Sequence, residues 1–106
     1  MRSGEVSGIE VREWGKGGVL VELKGEFDQH NLKNLRETLS DVVALRRTTL
    51  VDLSEVTFLD VGATRELTIR SQLYAHHLTL GNPSWQARAS VAACRFDKLL
   101  AFYPGK

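Results

Sequence analysis

The chain predicts an α/β fold: a single-domain mixed β-sheet packed by three or four helices. Three observations carry this. Two short alternating runs, Ile9–Trp14 (IEVREW) and Val19–Leu23 (VLVEL), flank the glycine-rich GKGG and read as a β-hairpin. Thr48–Leu53 (TTLVDL) is β-branched and apolar, the pattern of an inner strand covered on both faces. Helical patterns alternate with the later strands, which implies βαβ crossovers and a parallel portion. The hairpin then supplies an antiparallel edge.

Each element follows in order. Residues 1–8 (MRSGEVSG) are small and polar and read as an N-terminal arm, ahead of one domain over residues 9–104. After GEFDQHN, the residues Leu32, Leu35, Leu39 and Val42 recur at three- and four-residue spacing, one face of a helix. Lys33, Arg36, Glu37 and Ser40 take its other side, and Asp28 or Asn31 can cap its start. Thr48–Leu53 is the central strand, and Ser54–Asp60 leads into a second helix over about Gly62–His76. Leu78–Leu80 is a last short strand, stopped by Gly81-Asn82-Pro83. Ser84 then caps a third helix with Trp85, Ala89, Ala92, Phe96 and Leu99 as its apolar stripe.

Composition narrows the function. With 106 residues there is room for one core. Hydrophobic residues at 42% and charged residues at 25% exclude a disordered chain. A net charge of +1, from 14 basic and 13 acidic side chains, argues against a nucleic-acid module. No apolar run nears the ~20 residues of a membrane span, and no signal-peptide core is present. The lone Cys94 has no internal disulfide partner, which suits a reducing cytoplasm.

Chemistry at the strand ends is sparse. Asp28, Asp52 and Asp60 would sit in loops after parallel strands, where a hard cation could find oxygen ligands. Local roles explain them better: helix caps for Asp28 and Asp60, a strand-end hydrogen bond for Asp52. Cys94 reads as a packed thiol, since nothing in the spacing of His30, His76 or His77 ties an imidazole to it. GKGG joins strand to strand, so it has no helix N-terminus with which to cradle phosphate. No nucleotide-loop or nucleophile-elbow pattern occurs. The expectation is no metal, no cofactor and no catalysis.

Three stretches together resemble the STAS domain of bacterial anti-sigma factor antagonists. They are GEFD at Gly25–Asp28, VDLSEVTFLD at Val51–Asp60 and NPS at Asn82–Ser84, within a likeness running from about Val19 to Phe102. The resemblance implies a non-catalytic module whose partner is an anti-sigma factor or related regulatory protein, and a homodimer is compatible with it. It also implies a partner-binding surface at Asp28, Asp60, Val61, Gly62, Thr64 and Arg65. In such domains the aspartate is followed by S-S-G, and its second serine is phosphorylated. A phosphate there gains from the helix N-terminus and can expel the partner by charge. Here the residues after Asp60 are Val61, Gly62 and Ala63, so Gly62 removes the hydroxyl. Thr64 is a poor substitute, because two residues turn a helix by about 200°. Its ordinary reading is a surface threonine. The second helix carries Arg65, Glu66, Thr68, Arg70, Ser71 and Gln72, either a solvated face or a partner face. The alternative function is a sensor for a nucleotide or lipid, or an accessory subunit of a transporter or stress-signalling complex.

Overall fold

The computed structural model describes residues 8–95. The arm assigned to residues 1–8, apart from Gly8, lies outside them, as do Phe96, Leu99 and the domain end at residue 104. Strand β1 (Gly8–Trp14) turns through Gly15 and Gly17, both at positive φ, into the antiparallel β2 (Gly18–Phe27). β2 runs parallel to β3 (Thr49–Leu59), and β3 parallel to β4 (Leu78–Gly81). The sheet order is therefore β1-β2-β3-β4, with the two expected inner strands adjacent. Arg47 ties the hairpin to the start of β3. Its guanidinium donates to the Gly17 and Gly18 carbonyls at 2.7 and 3.2 Å and to Glu13 at 2.9 Å.

Helices α1 (Leu32–Ala44) and α2 (Val61–Leu73) form the two crossovers. Both connections step the same way across the sheet, so right-handed crossing puts both helices on one face. Helix α3 (Trp85–Ala93) joins the same core. Val19, Val21 and Leu23 of β2 meet Val51 and Leu53 of β3 and the α1 residues Leu35, Leu39 and Val42 there. The α1 stripe is the one its periodicity predicts. On the opposite face Leu50 is buried and Leu20 half-buried, but Asp52 is only half-buried and Ser54 exposed. Burial on both faces thus holds for the start of β3 and not for its whole length.

β3 also runs past Leu53, through the segment expected to be a connection. Two register irregularities against β2 each place an extra residue in β3. An extra residue reverses the inward and outward alternation of a strand. As a result Leu53, Val56 and Leu59, three apart, are all buried. Gly25, at φ 89°, lies at the second irregularity, a conformation that side chains other than glycine rarely take.

Helix α3 completes what the bulges leave open. β4 pairs only with Thr49–Asp52, so the later backbone groups of β3 need other partners. The Ser84 amide donates to the Leu53 carbonyl at 3.2 Å, and its hydroxyl donates to the Val56 carbonyl at 2.6 Å. Farther along, the Leu59 amide donates to Ser90 Oγ at 3.1 Å. This corrects the expected α3 stripe. Trp85 is 75% exposed, and Ala89 and Ala92 are exposed, while Ala87, Ser90 and Val91 face inward. A serine turned inward to satisfy an amide defeats a reading based on apolar residues alone. Cys94 ends α3, half-buried.

Candidate functional site

Parallel strands β2 and β3 end side by side, with Phe27 in register with Leu59. That places Asp28 and Asp60 at the same end of the sheet. The Asp60 amide donates to the Phe27 carbonyl at 3.0 Å, locking the two exits together. Asp60 is the N-cap of α2: its Oδ1 accepts from the Ala63 amide at 2.8 Å. The cap expected of Asp60 is present, and it satisfies one of the orphan N–H groups of the first turn.

Asp28 does something else. Its Oδ1 accepts from the His30 amide at 2.9 Å, and its own amide donates to Asn31 Oδ1 at 2.9 Å. Asn31 also donates to the Glu26 carbonyl at 2.9 Å. Asn31 is the N-cap by position, yet neither its side chain nor that of Asp28 caps α1. Both side chains are spent on folding the tight β2–α1 loop. Asp52 is a further correction. It lies inside β3, its carboxylate accepting from the Ser54 amide at 3.0 Å. Asp52 is in register with Glu22 and Leu59 with Phe27, five residues farther along β2, so Asp52 lies roughly 20 Å from Asp60 at ~3.3 Å per residue. The three aspartates therefore form no common site, and the described residues hold no group of acidic, histidine or cysteine side chains able to bind a metal.

The surface at the start of α2 is built from few residues. Val61 is 57% exposed, Arg65 is exposed, and Phe58 just before the turn is 46% exposed. Gly62 is half-buried against α1, and a Cβ there would approach Leu32 Cδ2 at 3.2 Å. That contact is with the far end of a flexible side chain, so a small residue fits after a slight shift. Thr64 is not a surface threonine. It is fully buried beside Ala63, Leu67 and Thr68, and its Oγ1 has no hydrogen-bond partner among the described residues. In the folded chain its hydroxyl can neither touch a partner nor reach a kinase.

Thr68 is buried as well and donates to the Thr64 carbonyl at 2.8 Å, so part of the supposed polar face is interior. Glu66 is held between Arg70 at 2.7 Å and Arg36 at 3.3 Å. Sequence reasoning missed the outer stripe of this helix. Val61, Arg65, Ile69 and Leu73 are four apart, and Ile69 and Leu73 are 44% and 69% exposed. The four-residue spacing was the available signal, hidden because α2 is apolar on two sides. His76 and His77 lie beyond its last turn, and His77 Nε2 is buried without a partner among the described residues.

Residues 11–101 match the family described as Mlab, STAS domain. The chain belongs to the STAS-domain family. Its fold is similar to the crystal structure of an anti-sigma factor antagonist from Mycobacterium paratuberculosis, with a TM-score of 0.80 at 20% identity over 98% of this chain and 91% of that one. It is also similar to the Bacillus cell fate determinant SpoIIAA in its phosphorylated form, with a TM-score of 0.64 at 17% identity over 92% of each chain. The unphosphorylated anti-sigma factor antagonist SpoIIAA gives 0.67 at 16% identity, over 92% of this chain and 89% of that one. No curated protein matches the sequence significantly. In this STAS domain, Gly25 of GEFD serves a bulge, and the apolar positions of VDLSEVTFLD serve a bulged strand. The serine of NPS bonds α3 to that strand. No described helix is long and apolar enough to cross a membrane.

Proposed function

We propose that this STAS domain is a non-catalytic regulatory module that binds an anti-sigma factor or related regulatory protein through the start of α2. The observation that carries the reading is the exposed pair Val61 and Arg65 on a helix start fixed by the Asp60 cap. A capped, rigid helix end offers a partner a surface that needs little ordering, and Arg65 adds a steering charge. Asp28, Asp60 and Gly62 flank and shape that surface, and the outer residues Ile69 and Leu73 extend it. Thr64 supports it from beneath. The similar solved structures are of anti-sigma factor antagonists, one of them in phosphorylated and unphosphorylated forms. Gly62 leaves this chain without a hydroxyl at the usual phosphoacceptor position, and the only hydroxyl in the first turn of α2, that of Thr64, is buried, so its binding is constitutive with respect to serine phosphorylation. The setting is the bacterial cytoplasm, where a lone cysteine needs no partner.

Two measurements test the reading. In calorimetric titration against a candidate anti-sigma kinase, Arg65→Glu is expected to weaken binding about tenfold or more, the effect of reversing a contact charge. Equal affinity for both forms would remove this face as the contact surface. Incubation with the same kinase and ATP is expected to leave the intact mass of the wild type unchanged, while Gly62→Ser gains one phosphate. The added Cβ meets the flexible end of Leu32 at 3.2 Å and Asp60 Oδ1 at an ordinary 3.5 Å, so the variant is expected to keep its fold after a slight shift of Leu32. Stoichiometric phosphate on the wild type would overturn the absence of a switch.

A further inference from the structure

We infer that the outer edge of β1 is a self-association surface whose occupant is a second copy of this chain. Among the described residues the sheet has two edges, β1 and β4. β4 is four residues long and runs into Asn82-Pro83, so brevity and proline protect it. β1 is seven residues long, contains neither lysine nor proline, and has a strand neighbour on one side only among the described residues. Long unblocked edges present a row of free backbone groups ready to pair with another strand.

The sequence of β1 is complementary to itself. Two antiparallel copies related by a dyad normal to the sheet, paired over all of Gly8–Trp14, put Val11 on the dyad. Glu10 then lies opposite Arg12 of the second copy, and Arg12 opposite its Glu10. Gly8 lies opposite Trp14, whose indole covers the bare glycine. The neighbouring registers that keep the same face set Glu10 against Glu10 or Arg12 against Arg12, and like charges directly opposite are destabilising. The register that pairs the whole strand is thus also the one that matches charge. Val11 and Trp14 are 48% and 38% exposed, apolar surface that such pairing covers. The result is one continuous sheet with both helix layers on the same side. The start of α2 stays open in each copy, so this inference stands independently of the proposed partner.

Charge swaps on the full chain test it. Within one chain Arg12 bonds Glu10 and Glu22, each at 2.8 Å, while Glu10 stands directly opposite Glu22. Glu10→Arg therefore gives Glu22 an opposite-charge neighbour inside the chain but sets like charges across the dyad. It separates association from folding, which Arg12→Glu alone does not. In sedimentation velocity, the wild type is expected to shift with concentration from 11.8 kDa to twice that mass. Glu10→Arg and Arg12→Glu are each expected to stay at 11.8 kDa, and the double swap to regain the doubled mass. Circular dichroism checks that each variant is folded. A wild type that remains monomeric up to its solubility limit overturns the proposal. So does a dimer indifferent to Glu10→Arg, or a folded double swap that stays monomeric.

Discussion

Phe27→Ala is expected to lower the free energy of unfolding by about 3–5 kcal/mol, the range for removing a buried phenylalanine and leaving a cavity. Phe27 is 1% exposed and heads the largest fully buried side chains among the described residues. It is the last residue of β2, in register with Leu59, and its carbonyl receives the Asp60 amide. A loss of that size is a large part of the ~5–15 kcal/mol that domains hold in reserve. Urea unfolding would read it as a lower midpoint with an unchanged slope. A midpoint equal to that of the wild type would mean that β2 and β3 do not close over Phe27. The substitution also loosens the strand end that positions Asp60, so the start of α2 should lose its fixed geometry along with stability.

Ser84→Ala is expected to cost about 2–3 kcal/mol, because one hydroxyl does two jobs. As the α3 N-cap it accepts from the Ala87 amide at 3.0 Å, and such caps contribute about 1 kcal/mol. As a donor it satisfies the Val56 carbonyl, and orphaning a buried backbone group costs ~1–3 kcal/mol. Ser84→Asp separates the two roles. An ionised carboxylate keeps the acceptor for the cap but has no proton for Val56, so it should recover only part of the loss. Full recovery in thermal melts would show that the contact with β3 contributes nothing.

The inner strands, the hairpin and the α1 stripe were legible because each follows a single period. Val19, Val21 and Leu23 alternate, and Leu35, Leu39 and Val42 step by helical turns. The far half of β3 was not legible, since its buried residues Leu53, Val56 and Leu59 follow a three-residue step that belongs to neither period. Only tertiary pairing with β2 makes that step a strand. The face of α3 was misread for a related reason: Ser90 is inward because an amide of another element needs it. At the site, the caps of Asp60 and Ser84 were readable from residue type. The burial of Thr64 was not, because a threonine in a first turn has no sequence mark that says which way it points.

The bulges in β3 also bear on misassembly. Taken as a straight strand, Leu53–Leu59 would put Leu53, Glu55, Thr57 and Leu59 on one side and Ser54, Val56 and Phe58 on the other. In-register stacking would pile Glu55 on Glu55 along the first side, and such a ladder of like charges disfavours a cross-β fibril, whose segments carry low net charge. Leu53, Val56 and Leu59 gather on one face only where pairing with β2 bulges the two extra residues out of β3, and Phe58 stays exposed. A segment that an unfolded chain exposes during synthesis is thereby a poor template for aggregation, and it becomes a strand chiefly in the company of its own sheet.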